Sequence, residues 1–205
     1  MYRNIIFDLG GVLLKLDKTA CIRAYNDLGY SGFDKVLSEF HQSGFFLEFE
    51  KGNISTEKFR ELIRENCRPD VTDIQIDDAM SSFLIEIPKV KLDYILELKQ
   101  NFNTYILSNT NPVAMKYVLP MFTIDGLTIN DYFDELFLSY KLNLAKPDPE
   151  VFKYVINKLH LNPSETLFID DAQSNLDTAE TLGINTLFID INSDFISEIQ
   201  NKLQK

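Results

Sequence analysis

Short apolar runs separated by longer amphipathic segments are the main pattern of the chain. Residues 4–8, 104–107, 136–138, 166–169 and 186–189 are rich in β-branched, aromatic and other apolar residues. Near-continuous apolar runs of this length are typical of strands buried on both faces, as in parallel sheets. The pattern therefore predicts five strands of a parallel sheet.

Helical patterns lie between these runs. Apolar residues recur at three- and four-residue spacing in 88–100, 150–159 and 173–182, and the last segment ends at Gly183, a residue type that often terminates helices. Strands that alternate with helices predict an α/β fold with a doubly wound, Rossmann-like parallel sheet.

Residues 15–87 interrupt this alternation, because their pattern predicts helices only. In 55–67, Phe59, Leu62 and Ile63 form an apolar stripe behind Ser55, which is a favoured helix-capping residue. We therefore predict a catalytic core of residues 1–14 and 88–205 and an inserted helical domain of residues 15–87. Because the insertion follows the first strand directly, we expect it to cover the carboxyl end of that strand.

Composition narrows the classes of partner. The chain has 205 residues and a formal net charge of −11, with scattered Lys and Arg, so nucleic acid and anionic membranes are not expected partners. Cys21 and Cys67 lack the spacing of a metal site, and we expect reduced thiols. We find no signal peptide and no apolar stretch of membrane-spanning length, so the expected compartment is the cytoplasm.

Chemically reactive residues follow several of the predicted strands. Asp8, Ser108, Asp170 and Asp171 stand at strand ends, and Lys146 lies in the loop segment AKPDPEVF. Ligands of open α/β sheets bind at the carboxyl ends of the strands, so these side chains are expected to meet in one crevice. Three acids crowded together favour a bound cation, and their hard oxygen atoms suit Mg²⁺.

Four ordered segments resemble the motifs of the haloacid dehalogenase superfamily: FDLGGVLL, YILSNTN, AKPDPEVF and LFIDDAQSNLDTAETLGI. The inserted segment FEKGNISTEKF is also similar to the branch whose helical cap follows the first motif. The resemblance covers almost the whole chain. It implies a magnesium-dependent phosphatase that acts on a small phosphorylated metabolite.

The resemblance also implies roles for individual residues. Asp8 would attack phosphorus and become an aspartyl phosphate. Ser108, with nearby backbone N–H groups, would hold phosphoryl oxygens, and Gly10 and Asn109 would contact the substrate. Lys146 would stabilise both Asp8 and the developing negative charge.

The implied metal ligands are Asp8, Asp171 and the backbone carbonyl of Gly10. Asp170 would be a further ligand, either directly or through a water molecule.

Gly10 departs from the family pattern, because most phosphatases of the superfamily carry an aspartate there that protonates the leaving group. Positioned acid or base catalysis contributes about 10²–10⁴-fold, so we expect reduced activity and a preference for leaving groups of low pKa. Members that act on glucose 1-phosphate also have Gly at this position, which favours sugar phosphates. His41 is an alternative proton carrier, and Glu48 and Glu50 have no assigned role.

Two other departures concern asparagines. Asn143 stands where relatives often have Gly, and it tolerates a left-handed backbone. Asn175 replaces an aspartate of many relatives, and we expect it to orient a neighbouring group.

Other functions remain open at this point. A carbon–halogen hydrolase would use the same nucleophile, and a non-catalytic phosphate-binding domain would explain the lost acid. A receiver domain of two-component signalling also combines acids, a hydroxyl and a lysine, but it lacks a cap. Substrate identity and oligomeric state are not determined by the sequence.

Overall fold

A parallel sheet forms the centre of the computed structural model, which describes residues 1–38 and 44–204. Within these residues its strands are β1 (Asn4–Phe7), β2 (Asn103–Ser108), β3 (Glu135–Leu138), β4 (Thr166–Asp170) and β5 (Asn185–Phe188). The strand order is β3-β2-β1-β4-β5, and every pairing is parallel. The predicted doubly wound sheet is confirmed, with bounds within one or two residues of the expected ones.

The helices fall into two groups along the chain. Between β1 and β2 the inserted helices are followed by one core helix: α1 (Lys18–Asp27), α2 (Phe33–Ser38), α3 (Phe45–Glu50), α4 (Thr56–Arg64), α5 (Asp73–Ser81) and then α6 (Lys89–Leu98). The remaining α-helices follow β2: α7 (Pro112–Val118), α8 (Ile129–Tyr132), α9 (Ser139–Leu142), α10 (Pro149–Leu159), α11 (Gln173–Thr181) and α12 (Phe195–Leu203). No helix in the described ranges is both long enough and apolar enough to cross a bilayer.

Both faces of the sheet are covered by helices. In β1, Ile5 and Phe7 belong to a core cluster that includes residues of α6 and α12, whereas Ile6 belongs to a second cluster with residues of α10 and α11. Successive side chains of a strand point to opposite faces, so both faces of β1 are buried. This explains why the strands have continuous apolar sequences.

The direction of winding reverses at β1. The chain passes from β1 through β2 to β3 on one side, and then continues with β4 and β5 on the other side. A crevice therefore opens between the carboxyl ends of β1 and β4, which is where open α/β sheets bind ligands. Asp8 and Asp170 stand at these two ends.

The inserted helices α1–α5 have a hydrophobic cluster of their own. Its centre is aromatic, with Phe33, Phe46, Phe49 and Phe59 all buried. The rings of Phe49 and Phe59 are stacked with centroids 4.2 Å apart, and Phe45 contacts the Phe59 ring. These phenylalanines form the packed centre of the inserted helices.

Two linkers connect the inserted helices to the core, and they pair with each other. Lys15 N–H donates to the Glu86 carbonyl, Ile85 N–H to the Lys15 carbonyl and Asp17 N–H to the Phe83 carbonyl, at 2.8–3.0 Å. This short antiparallel pairing ties the entry and exit of the insertion together, so the two linkers are constrained to move as a unit.

Candidate functional site

A tight turn follows β1 and presents Asp8. Asp8 N–H donates to the Ile169 carbonyl at 2.8 Å, which fixes the start of the turn against β4. Gly11 adopts φ +80°, and a Cβ placed there would lie 2.0 Å from Asp171 Oδ2. Only glycine allows both this backbone conformation and the close approach of the Asp171 carboxylate. The turn therefore brings Asp8 and Asp171 to the same place.

Lys146 lies at the centre of the site. Its Nζ is 2.8 Å from Asp8 Oδ1 and 2.6 Å from Asp170 Oδ2. All three residues are buried, with 5%, 8% and 0% of their surfaces exposed, respectively. Burial acts to lower the pKa of Lys146, but the Asp170 and Asp8 carboxylates outweigh it and the pKa is raised. The lysine therefore stays charged.

The environment of Asp8 has opposing effects on the pKa of its carboxyl group. Burial raises the pKa of Asp8 to about 7, against the lowering effect of Lys146 and with a further contribution from Asp170. A buried carboxylate next to other acids is costly, so a cation at this place would stabilise its ionised form.

Asn109 holds the loop that carries Lys146. Its Oδ1 accepts a hydrogen bond from Lys146 N–H at 2.9 Å, and its Nδ2 donates to the Lys146 carbonyl at 2.8 Å. Since both ends of the amide are used in this way, the side chain of Asn109 positions Lys146. The sequence suggested a substrate-binding role for Asn109 and did not indicate its contact with the Lys146 backbone.

Asp170 is held by a network of donors. Its Oδ1 accepts hydrogen bonds from Ala172 N–H at 2.8 Å and from Asn175 Nδ2 at 2.9 Å, and its Oδ2 faces Lys146. The expectation that Asn175 orients a neighbouring group is confirmed. Because both of its oxygens already accept hydrogen bonds, Asp170 mainly orients Lys146. Asp171 is freer than Asp170 to bind a metal.

Three carboxylates of the described residues are close enough to share one cation. Asp8, Asp170 and Asp171 each offer an oxygen atom, and these atoms lie within 4.8 Å of one another. Asp171 is the exposed member, and burial of part of its carboxyl group together with Asp170 raises its pKa. Hard oxygen donors around one open side fit Mg²⁺, which keeps several waters or substrate oxygens in its shell.

Ser108 and Gly10 complete the set predicted from the sequence. Ser108 ends β2, next to β1 in the sheet, and only 2% of its surface is exposed. Gly10 faces the first linker: a Cβ at this position would lie 3.1 Å from Cδ1 of Leu16. The predicted residues of the site thus gather around the carboxyl ends of β1, β2 and β4. His41 lies outside the described residues.

Glu50, the last residue of α3, had no role assigned from the sequence. Only 4% of its surface is exposed, and the electrostatic influence of Asp8 and Lys146 reaches its carboxyl group. Burial raises the pKa of Glu50 to about 8, the nearby charge of Asp8 raises it further and Lys146 lowers it. Its place in the motif segment FEKG, directly before a turn, is the signal that could have marked it.

Glu50 should make the stability of the protein depend on pH. Its pKa rises from 4.5 when unfolded to about 8 when folded, so its contribution to stability is complete below pH 4.5 and is lost as the pH rises towards 8. Glu50→Gln removes this titration, and the stability of the variant relative to wild type should increase between pH 5 and 8 by up to roughly 5 kcal/mol. Urea unfolding across this range measures the difference.

Glu48→Gln, an exposed acid on the same helix, is the control and should follow the wild-type curve. Parallel curves for wild type and Glu50→Gln would contradict the prediction.

Comparison with known proteins agrees with this geometry. A family model of haloacid dehalogenase-like hydrolases matches residues 2–183. The chain is 39% identical over 200 residues to D-ribitol-5-phosphate phosphatase of Bacteroides thetaiotaomicron, covering 97% of each protein.

Solved structures show the same similarity. A HAD family enzyme of Bacteroides thetaiotaomicron in complex with magnesium and inorganic phosphate has a TM-score of 0.88 and 40% identity, covering 95% of this chain and 97% of that one. A HAD-like family hydrolase of Porphyromonas gingivalis has a TM-score of 0.93 and 36% identity, covering 100% and 99%. The chain therefore belongs to the haloacid dehalogenase-like hydrolase family.

Proposed function

We propose that the chain is a magnesium-dependent phosphatase that acts on a small phosphorylated metabolite. The placement of Lys146 between Asp8 and Asp170, with Asp171 beside them, supports this function most directly. The site combines a nucleophile, a fixed positive charge and a set of hard metal ligands. Similarity to a phosphatase and to a structure that contains magnesium and phosphate supports the same conclusion.

The reaction begins with Asp8. One carboxylate oxygen attacks phosphorus, the bond to the leaving oxygen breaks, and an aspartyl phosphate results. Lys146 balances the charge of the three phosphoryl oxygens, and Ser108 donates a hydrogen bond to one of them. Water then attacks the phosphorus of this intermediate and releases inorganic phosphate and the Asp8 carboxylate.

The metal ligands in this proposal are Asp8, Asp171 and the Gly10 carbonyl, with Asp170 as a further or water-mediated ligand. When bound there, Mg²⁺ would neutralise phosphoryl charge and align the phosphoryl group with the nucleophile. The complete pair Asp170 and Asp171 favours phosphoryl transfer over carbon–halogen hydrolysis, which has no comparable need for a divalent cation.

The similarity to a sugar-phosphate phosphatase indicates the substrate class. D-ribitol-5-phosphate phosphatase, at 39% identity, points to phosphates of small sugars and polyols.

In this proposal, residues 15–87 form the cap and residues 1–14 and 88–205 form the catalytic core. Asp8, Ser108 and Lys146 are buried, so the cap must open to admit substrate and close to exclude water.

The cellular setting in this proposal is the cytoplasm. Cys21 and Cys67 are free thiols, which suits a reducing compartment. The net charge of −11 disfavours nucleic acid as a partner.

A substrate panel tests the proposal directly. With saturating Mg²⁺, purified protein should hydrolyse D-ribitol 5-phosphate and related sugar phosphates faster than a nucleotide. Chelation of the metal should lower the rate by at least about 10²-fold, because three acids would then face the phosphate uncompensated. Phosphate release is the measurement. Hydrolysis that persists in chelator, or release of halide from a haloacid without phosphatase activity, would overturn the proposal.

A further inference from the structure

Gly10 leaves the proposed reaction without an obvious proton carrier. A sugar or polyol phosphate has an alkoxide leaving group, which departs slowly unless it is protonated as the bond to phosphorus breaks. The second step also needs a base to take a proton from water. Of the three clustered acids in the described part of the chain, Asp8 is the proposed nucleophile, Asp170 is paired with Lys146 and Asp171 is a proposed metal ligand.

Glu50 is a further acid beside the site. It is buried at the end of α3, and α3 packs against α9, which follows β3 at the carboxyl edge of the sheet. The charges of Asp8 and Lys146 act on its carboxyl group. No hydrogen bond or ion pair joins it to a metal-binding carboxylate among the described residues. A carboxyl group on a largely buried residue beside other charges is costly, which suggests that it is kept for a function.

Contacts with the core hold Glu50 in this position. The residues that follow it pack on α9: a Cβ at Gly52, where φ is +68°, would lie 2.2 Å from the Tyr140 carbonyl oxygen. Asn143, with φ +55°, donates from Nδ2 to the Lys51 carbonyl at 2.8 Å. These contacts join the segment after α3 to α9 and to Asn143, three residues before Lys146, so the end of α3 is held at the edge of the sheet where the site lies.

We propose that Glu50 is the general acid and base of the reaction and replaces the carboxyl group that is missing at position 10. The inference rests on the proposed phosphatase function and adds a catalytic residue to it. Because Glu50 belongs to the insertion, the proton carrier joins the nucleophile only in the closed state.

The proton balance is complete. In the first step the Glu50 carboxyl group gives its proton to the leaving oxygen as Asp8 binds phosphorus, and an alcohol departs. In the second step the Glu50 carboxylate takes a proton from water as the water oxygen attacks phosphorus. The bond between phosphorus and Asp8 breaks, hydrogen phosphate leaves, and Glu50 is protonated again.

The first test uses wild-type protein with saturating Mg²⁺. If a group of the enzyme protonates the leaving oxygen, the wild-type kcat/KM should be nearly the same for aryl and alkyl phosphates, whatever the pKa of the leaving group. If Glu50 is this group, Glu50→Gln should lower kcat/KM by about 10²–10⁴-fold for alkyl phosphates. For an aryl phosphate with an acidic phenol the loss should be at least about tenfold smaller, because this leaving group departs without a proton.

The pH profile is a second readout. The charged groups that act on Glu50 are Asp8 and Lys146 of the core, and α3 packs against α4 and α9. The wild-type value of kcat/KM for an alkyl phosphate should fall on the alkaline side of the profile, because Glu50 must carry its proton to act as the acid. The fall should be absent in Glu50→Gln and unchanged in the control Glu48→Gln.

Rescue through position 10 completes the test. Gly10→Asp in the Glu50→Gln background should restore alkyl phosphate turnover, whereas Gly10→Ala should not. Both replacements add a Cβ close to Leu16, so the alanine variant controls for the steric effect.

Equal losses for both leaving groups with an unchanged pH profile would overturn the role of Glu50 while leaving the phosphatase function intact. If Glu50→Gln does not fold, the wild type alone decides: a steep dependence of its kcat/KM on leaving-group pKa would also overturn the role of Glu50. An inactive wild type would instead overturn the function itself.

Discussion

Asp8→Asn should lower kcat by about 10⁴-fold or more, because an amide cannot serve as the nucleophile that accepts the phosphoryl group. The fold should survive the change. Asparagine has nearly the same shape as aspartate, and it removes one of the charges buried around Lys146. The melting temperature should therefore equal or exceed that of wild type, as is common when an active-site charge is removed. Steady-state kinetics and thermal unfolding measure the two effects.

A control for this variant is Asp190→Asn. Asp190 also follows a strand, but it accepts hydrogen bonds from Asn192 and Ser193 in a surface turn. It should retain wild-type activity. A phosphorylated species trapped on Asp8 in wild-type protein and absent in Asp8→Asn would support the role of Asp8, whereas turnover in Asp8→Asn within tenfold of wild type would contradict it.

Lys146→Met should damage both stability and activity. The substitution keeps an unbranched side chain but leaves the Asp8 and Asp170 carboxylates buried without their shared positive charge. Removing one partner from a buried ion pair costs about 3–5 kcal/mol in the free energy of unfolding. Loss of the charge that faces the phosphoryl oxygens should lower kcat by about 10²–10³-fold. Urea unfolding and kinetics at neutral pH measure these changes.

Added Mg²⁺ should recover part of the lost stability of Lys146→Met, because a cation held by the remaining acids supplies positive charge in the folded state only. Lys141→Met is the control, since Lys141 is exposed and lies outside the site. Unchanged stability of Lys146→Met would show that the charges of Asp8 and Asp170 are compensated in another way.

The core sheet could be predicted from sequence because its signals are local. Apolar runs buried on both faces, as in β1 and β4, have a distinctive pattern. Asp8 directly follows β1, and Asp170 is the last residue of β4. Alternation of strands and helices then limits the topology to a doubly wound sheet. Short elements such as α8 and α9 carry too few residues to show a period, and they were not foreseen.

The site could be predicted only in part. Asp8, Lys146 and Asp171 follow from their motifs, because parallel strands bring their carboxyl ends to one edge. The burial of Glu50 depends instead on the packing of α3 against α9, which joins segments about 90 residues apart in the chain. No local pattern encodes such a contact. The two hydrogen bonds between the Asn109 side chain and the Lys146 backbone also join distant segments, so the sequence did not reveal them.

Leu16 gives position 10 a role beyond chemistry. This leucine belongs to the paired linkers, and it fills the space that a side chain at position 10 would enter. A side chain at position 10 would contact this leucine, so the residue that stands there influences the entry to the insertion as well as the surroundings of the nucleophile.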